Sequence, residues 1–190
     1  MKIRLASEIQ TDSIVDGEGI RTVIWTQGCS HNCVGCHNPE THSFEDGFLV
    51  DVEDLEKEIL SVKHQDGITL SGGDPMFQPE PVLHVAKFCK EHNLNVWCYT
   101  GFTFEKLLEM SEKNNTIKEL LENIDVLVDG KFELEQRSLN LYFKGSKNQR
   151  VLNMSKSLKE RKPVEIVKYK GERTFEMYNA EKRTSKGIFI

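Results

Sequence analysis

Three cysteines fall within eight residues and form the most chemically informative segment of the chain. They are Cys29, Cys33 and Cys36, in the run Cys-Ser-His-Asn-Cys-Val-Gly-Cys. Because Gly28 and Gly35 loosen the backbone here, the three thiols can converge on one point. Thiolates are ligands for zinc and for iron–sulfur clusters. The spacing therefore predicts a metal site on this segment.

A structural zinc ion is one interpretation of the site. Structural zinc takes four ligands, and His31, His37 or His42 could supply the fourth. Zinc sites usually use two separated cysteine pairs, however, and the chain has no second Cys-x-x-Cys. The remaining cysteines, Cys89 and Cys98, fall in apolar helix and strand patterns, which favours buried core thiols. Zinc is therefore kept as the alternative, in which the protein would be a zinc-stabilised interaction module.

An iron–sulfur cluster is the other interpretation. A four-iron cluster normally uses four thiolates, so three would leave one iron open to an external ligand that chelates through amino and carboxylate groups. Three cysteines separated by three and then two residues are typical of radical S-adenosylmethionine enzymes. This resemblance implies one [4Fe-4S] cluster per chain, held by Cys29, Cys33 and Cys36.

A glycine pair provides a second element for such a site. Ser71-Gly72-Gly73-Asp74-Pro75 follows a short apolar strand. Two glycines permit positive φ and let the backbone approach a ligand closely, where exposed carbonyls can accept hydrogen bonds from an ammonium group. The segment resembles the Gly-Gly-Glu-Pro segment of radical S-adenosylmethionine enzymes, which binds the methionine amino group. Asp74 stands here in place of glutamate.

Alternating helix and strand patterns follow the cysteines. Apolar residues at helical spacing predict helices, and short apolar runs closed by glycine predict strands. The helices contain Val52, Leu55, Ile59 and Val62, then Val82, Val85, Ala86 and Cys89, then Ile117, Leu120 and Leu121. The strands are 67–71, 94–100 and 124–128. This order predicts an α/β fold, a parallel sheet with outer helices. Ligands in such sheets bind at the carboxyl ends of the strands, where Gly72, Thr100 and Asp129 lie.

Several segments in a fixed order extend the resemblance to one family. Across residues 10–152 the chain resembles the activating enzymes of anaerobic ribonucleoside-triphosphate reductase, which are glycyl-radical activases. The segments are Asp16-Gly17-Glu18-Gly19-Ile20-Arg21, Gln27-Gly28-Cys29, Cys36-His37-Asn38-Pro39-Glu40-Thr41, Ser71–Pro75, Tyr99-Thr100-Gly101-Phe102, Val128-Asp129-Gly130-Lys131-Phe132 and Phe143-Lys144-Gly145-Ser146-Lys147-Asn148-Gln149-Arg150. The family often has Gly-Pro-Gly where this chain has Gly17-Glu18-Gly19, and we interpret this as a loop variant.

The resemblance also implies cofactor contacts and a reaction. S-adenosylmethionine would bind along Gly35, Cys36 and His37, and along Gly72, Gly73 and Asp74. The cluster would pass one electron to the cofactor, whose cleavage yields a 5′-deoxyadenosyl radical. That radical would take a hydrogen atom from one glycine of the reductase large subunit, so the cofactor rather than a side chain carries the radical. The electron would come from a flavodoxin-like or thiol-based donor.

The size of the chain fits an open fold. A radical that must meet the backbone of another protein needs a site open to the surface, and 190 residues are fewer than the ~250 of a complete (β/α)₈ barrel. We therefore expect a partial, laterally open (β/α) barrel of the radical S-adenosylmethionine type. Another enzyme of this class, such as a different activase or a deazaguanine-pathway synthase, remains an alternative. Asp129 and Lys131 resemble a cofactor-proximal Asp-x-Lys pair, or they form a solvated ion pair.

The composition and net charge of the chain limit the classes of partner and the cellular location that we expect. The net charge of -5 argues against a nucleic-acid partner, and no apolar run is long enough for a membrane span. An odd number of cysteines and the lack of a signal peptide indicate the cytoplasm. We expect a core domain over 1–154 and a basic extension over 155–190, since 151–190 holds ten Lys or Arg against five Glu. Residues 164–167 and 174–178 could form a hairpin in this extension.

Overall fold

The structure is a computed structural model that describes residues 1–173. An eight-stranded sheet forms its centre. The strands are β1 (Lys2–Leu5), β2 (Gln10–Ser13), β3 (Arg21–Thr26), β4 (Phe48–Asp51), β5 (Gly67–Gly72), β6 (Asn95–Tyr99), β7 (Val126–Asp129) and β8 (Arg150–Asn153). The predicted strands correspond to β5, β6 and β7.

The sheet is parallel in its middle and antiparallel at its flanks. Its order is β4-β1-β3-β5-β6-β7-β8, with β2 paired to β3. Strands β3, β5, β6 and β7 run parallel, so that Ile24 pairs with Leu70 and Leu70 with Cys98. Strands β1 and β2 run antiparallel to β3, and β8 runs antiparallel to β7. The predicted parallel sheet is confirmed for the four middle strands, and the antiparallel flanks are an addition to it.

Within residues 1–173, five α-helices cover one face of this sheet. They are α1 (Val52–Ser61), α2 (Pro79–Glu91), α3 (Phe104–Ser111), α4 (Asn115–Glu122) and α5 (Met154–Glu160). The side chains of Thr103, Asn114 and Asn153 accept hydrogen bonds from the first turns of α3, α4 and α5. Such caps each contribute about 1 kcal/mol to helix stability. The three predicted helices correspond to α1, α2 and α4.

The alternation of side chains along β6 separates two cores. Val96 and Cys98 point to the helices and join the large core there, and both are fully buried. Trp97 points to the opposite face, where it is only 2% exposed. Because side chains alternate along a strand, each residue of β6 must belong to one of these two layers.

Aromatic residues from loops cover the second face. Tyr142 and Tyr169 pack with Trp97, Val128 and Val151. Tyr169 lies beyond α5, in a segment that returns to the sheet through a bridge between Glu165 and Leu152. The first half of the expected hairpin, 164–167, makes this bridge, and its second half lies outside the described residues. The domain boundary after residue 154 and the hairpin stay predictions.

The loops that follow the parallel strands meet at one edge of the sheet. The cysteine segment follows β3, the glycine pair follows β5, and residues 100–103 follow β6. In open α/β sheets this edge is where ligands bind. The lateral opening of the predicted barrel stays a prediction. Within residues 1–173, no helix combines the length and apolar character needed to cross a membrane.

Candidate metal and cofactor site

The three cysteines lie on the loop that leaves β3, which we call the cysteine loop (residues 28–38). Two backbone hydrogen bonds fix its start: the Gly28 N–H donates to the Thr41 carbonyl over 2.9 Å, and the Cys29 N–H donates to the His42 carbonyl over 3.0 Å. A third bond, from the Cys36 N–H to the Cys33 carbonyl, closes a turn between the last two thiols. The loop therefore presents all three sulfurs from one short segment.

All five cysteines of the chain are free thiols. Cys29 is buried, and this burial raises the pKa of its thiol to about 11. Cys33 and Cys36 are partly exposed, whereas Cys89 and Cys98 are buried in the core, as predicted. Loss of water disfavours a thiolate at Cys29, so a positively charged metal centre is needed to hold it ionised.

The donor set fits a cluster better than a zinc ion. Within residues 1–173, no group of three or more His, Cys, Asp or Glu is arranged to hold a metal ion. The convergence of the three thiols on one point stays a prediction, and one structural zinc ion would require four ligands. A four-iron cluster takes each thiolate at a separate iron. Cys29, Cys33 and Cys36 thus suit a [4Fe-4S] cluster.

The glycine pair lies directly against the start of the cysteine loop. Gly72 has a φ of +107°, which side-chain-bearing residues rarely adopt. The Gly73 N–H donates to the Thr26 carbonyl over 2.7 Å, and a Cβ atom at Gly73 would lie 2.5 Å from the Gly28 carbonyl oxygen. Only a glycine permits this approach of two backbones. Among the described residues, nothing donates to the Gly73 carbonyl, which suits an ammonium group.

The carboxylate of Asp74 points into the protein. It is fully buried, and its Oδ2 accepts hydrogen bonds from His31 Nε2, the Thr100 hydroxyl and the Gly101 N–H at 2.7, 2.8 and 2.9 Å. Its Oδ1 accepts from the Met76 N–H at 2.9 Å. Four donors occupy this carboxylate, and the cofactor contact predicted for Asp74 stays a prediction.

The loop between β7 and β8 covers the end of the cysteine loop. Gly35 has a φ of +73°, and a Cβ atom there would lie 3.1 Å from Leu134 and 3.5 Å from Phe132. The ring of His37 lies 4.7 Å from the ring of Phe132. The cofactor contacts predicted for Gly35, Cys36 and His37 stay predictions, and Phe132 lies beside the first and the last of them.

A cavity of about 480 Å³ opens beside these residues. Its floor includes Trp25, Ser71 and Tyr99, which lie near the carboxyl ends of β3, β5 and β6, and its wall includes His37 and Phe132. This volume falls within the range of small-molecule sites, which are apolar cavities with a few polar groups. His37 and Asn38 bring the end of the cysteine loop to this cavity, which makes it a candidate cofactor site.

Asp129 and Lys131 lie away from this cavity. The Asp129 carboxylate is buried and accepts hydrogen bonds from the Arg150 guanidinium and from the Phe104 N–H, at the start of α3. Lys131 is exposed, and its carbonyl accepts from Asn148. Neither residue lines the cavity beside the cysteines. Asp129 therefore forms a buried ion pair with Arg150, and the expected solvated pair with Lys131 is not seen among the described residues.

Sequence reasoning missed the side chains that reach the site from other segments. His31 was considered only as a zinc ligand, and Trp25 was not considered. Phe132 and Leu134 lie about a hundred residues from the cysteines along the chain. The position of His31 between two cysteines was the one available signal, because a ring there must contact whatever supports the loop.

Comparisons with known proteins agree with this site. Residues 15–152 match a family model described as a 4Fe-4S single cluster domain. This match assigns the chain to the class of proteins that carry a single [4Fe-4S] cluster.

Curated relatives refine the assignment. The anaerobic ribonucleoside-triphosphate reductase-activating protein of Pasteurella multocida is 38% identical over 148 residues, covering 72% of this chain and 89% of that protein. The protein of the same name from Escherichia coli K12 is 33% identical over 151 residues, covering 72% and 90%. The chain therefore belongs to the family of the anaerobic ribonucleoside-triphosphate reductase-activating proteins.

Another relative, matched over a shorter stretch, is a different activase. The pyruvate formate-lyase-activating enzyme of Clostridium pasteurianum is 39% identical over 92 residues, which cover 46% of this chain and 39% of that protein. The shared stretch is shorter than in the relatives above. It shows a likeness to a second kind of activating enzyme over about half of this chain.

Proposed function

We propose that this protein activates anaerobic ribonucleoside-triphosphate reductase by generating a glycyl radical on its large subunit. The observation that carries the proposal is the cysteine loop held against the Gly72–Gly73 strand end, in a chain of the activating-protein family. Cys29, Cys33 and Cys36 ligate the [4Fe-4S] cluster. The backbone of Gly35, Cys36, His37, Gly72, Gly73 and Asp74 binds S-adenosylmethionine.

The bound groups supply the chemistry, and the chain supplies position. When bound, the cluster and S-adenosylmethionine would supply the one-electron reductive cleavage and the hydrogen-abstracting chemistry that glycyl-radical formation needs. The carbonyl of Gly73 would accept a hydrogen bond from the cofactor ammonium group. Trp25 and Tyr99 form the apolar floor that excludes water, while Phe132 and His37 form the wall beside Gly35.

The cavity mouth suits access by another protein. Two of its lining residues are strongly exposed apolar side chains, Val15 at 70% and Leu139 at 86%. Exposed apolar residues beside a site are typical of interaction surfaces. A glycine of the reductase would approach the cavity between them.

The electron donor is a flavodoxin-like or thiol-based reductant. The cytoplasm fits such a donor, because its reducing conditions keep cysteines as thiols. All five cysteines are free in the structure.

The test combines the protein with reductase large subunit, S-adenosylmethionine and a reductant without oxygen. The expected result is a glycyl doublet by electron spin resonance that depends on all three additions. Normal cofactor cleavage without the doublet would contradict the proposed substrate, and pyruvate formate-lyase in a parallel sample would then test the other activase. A colourless anaerobic preparation with one zinc and no iron or sulfide would contradict the cluster itself.

A further inference from the structure

The cysteine loop has few connections to the rest of the protein between its first and last thiols. Within the described residues, segment 30–36 makes one backbone hydrogen bond, from Cys36 to Cys33, and this bond stays inside the segment. One side-chain hydrogen bond leaves the segment, from His31 Nε2 to Asp74 Oδ2 at 2.7 Å. His31 therefore supplies the hydrogen-bonded connection of this segment to the rest of the protein, in addition to the packing of the β7–β8 loop on Gly35.

The surroundings of His31 are built for its ring. The ring is 8% exposed and lies 4.6 Å from the ring of Phe102 and 5.6 Å from that of Phe77. A Cβ atom at Gly101 would lie 2.4 Å from His31 Cδ2, so position 101 must lack a side chain. Three segments thus leave a slot that an imidazole fills.

Asp74 joins the loop to two strand ends at once. It follows the glycine pair after β5, and it accepts hydrogen bonds from Thr100 and Gly101 after β6. Its buried carboxylate has no Lys or Arg within 4.0 Å in the described part of the chain, and its one ionisable partner is His31. Burying a carboxylate without enough hydrogen-bond donors costs free energy. Losing any one donor to Asp74 therefore weakens the position of the carboxylate and of its other donors.

The shorter acidic residue at position 74 has a physical reason in this arrangement. Asp74 reaches His31 Nε2 at normal hydrogen-bond distance while the ring remains packed on Gly101. Glutamate is one methylene longer, and that group would occupy space which the ring fills. The departure from the Gly-Gly-Glu-Pro segment and the histidine between the cysteines are therefore two parts of one contact.

We propose that His31 and Asp74 form a latch that fixes the cysteine loop against the Gly72–Gly73 strand end, and that both are positioning residues for cofactor binding. This inference rests on the proposed function. The latch holds the cluster ligands and the cofactor-binding backbone at one separation, while neither side chain touches the cofactor. Breaking it leaves all three cysteines in place and weakens the binding of S-adenosylmethionine.

The experiment separates cluster assembly from cofactor binding. Parent protein, His31→Phe, Asp74→Asn and the double variant are reconstituted anaerobically, and iron and sulfide per chain are measured. The reduced cluster is then titrated with S-adenosylmethionine and followed by electron spin resonance. We expect parental iron content in His31→Phe and a half-saturating cofactor concentration raised about 10–100-fold, as for other residues that support metal ligands. The double variant should be no worse than the single ones, because the pair acts as a unit.

Two further variants make the result specific. His31→Gln keeps an N–H donor near the position of Nε2, so it should bind S-adenosylmethionine more tightly than His31→Phe does. If His31→Phe does not fold, His31→Gln is used in its place. His92→Phe removes an exposed histidine at the end of α2 and should match the parent.

The outcomes distinguish the latch from the proposed function. Parental cofactor affinity in both His31→Phe and Asp74→Asn would overturn the latch alone. Loss of iron from His31→Phe as complete as from Cys36→Ala would also overturn it, since His31 would then be needed for ligation. A parent protein that binds neither cluster nor S-adenosylmethionine would overturn the proposed function.

Discussion

Tyr169 donates a hydrogen bond of 2.6 Å to the carboxylate of Glu18, across 151 residues of chain. Glu18 also pairs with Lys168 at 2.5 Å. The ring of Tyr169 packs on Trp97 and Phe143, with centroid distances of 5.9 and 5.1 Å. The segment after α5 is therefore fastened to the loop before β3 and completes the second core.

Removing the Tyr169 ring should destabilise the whole fold. We expect Tyr169→Ala to lower the free energy of unfolding by about 3 kcal/mol, because it leaves a cavity beside Trp97. Tyr169→Phe keeps the ring and should cost about 1 kcal/mol for the lost hydrogen bond. Urea unfolding of the metal-free protein measures both. Lys57→Met, which breaks only an exposed ion pair on α1, is the control; equal losses in Tyr169→Ala and Lys57→Met would contradict the packing role.

Arg150 compensates the buried charge of Asp129. The Asp129 side chain is 0% exposed, and Arg150 also donates to Glu105 over 3.0 and 2.8 Å. We expect Arg150→Met to lower the free energy of unfolding by about 3 kcal/mol, since it leaves a buried carboxylate without its partner. Thermal and urea unfolding test this, and Lys106→Met on the surface of α3 should change stability by less than about 0.5 kcal/mol.

The Arg150 guanidinium also leads us to expect that the stability of the fold depends on pH. Its hydrogen bonds lower the pKa of Glu105 to about 2, against about 4.3 in an unfolded chain. A lowered folded-state pKa stabilises the fold above the unfolded value, and this contribution disappears as pH falls from about 4.3 towards 2. Because Glu105 is 54% exposed, we expect less than about 1 kcal/mol. The free energy of unfolding lost between pH 5 and pH 2 should be smaller in Arg150→Met than in the parent. An equal pH dependence in both proteins would contradict the role of Arg150 in lowering the pKa of Glu105.

Cys36 and Cys89 should respond differently to the same substitution. Cys36→Ala should abolish cofactor cleavage by the reconstituted protein, because it removes a proposed ligand. Cys89→Ala should cost on the order of 1 kcal/mol of packing free energy, since Cys89 is fully buried beside α2 neighbours. Iron analysis and product chromatography follow both variants. Loss of cluster iron from Cys89→Ala to the same extent would show that the three-ligand assignment is wrong.

Gly73 should be intolerant of a methyl group for steric reasons. A Cβ atom there would lie 2.5 Å from the Gly28 carbonyl oxygen and 2.8 Å from that of Thr41. We expect Gly73→Ala to separate the glycine pair from the cysteine loop and to weaken cofactor binding at least tenfold in the spin-resonance titration, a loss of about 1.4 kcal/mol. Gly171→Ala is the matched control, because Gly171 has a φ of +77° and a Cβ atom there would meet no atom within 4 Å beyond its chain neighbours. We expect Gly171→Ala to lower the free energy of unfolding and to leave the cofactor affinity unchanged.

The sequence predicted the elements whose pattern is strong. Helix α1 was predictable because Val52, Leu55 and Ile59 repeat at helical spacing and are all buried. Strand β2 was not, since three of its four residues are exposed and polar. A pattern of apolar residues cannot indicate a strand that buries almost nothing.

The sequence suggested candidate ligands for the site but not the residues that support them. Cysteine spacing predicted Cys29, Cys33 and Cys36 as ligands, because the ligands of one cluster are often close in sequence. The contacts of His31 with Asp74 and of Gly35 with Leu134 join distant segments. Such contacts follow from the packing of strand ends, which no local pattern encodes.

The part of the chain that matches its relatives is smaller than the part that folds. The family match spans 15–152, yet β1 lies before it and pairs with both β3 and β4. Tyr169 lies after it and covers Trp97. A protein expressed with those limits would leave β4 without its neighbouring strand and uncover an aromatic surface, and both changes favour aggregation. The limits of the family match are therefore poor limits for an expressed fragment. We expect soluble expression to require the residues on both sides of 15–152.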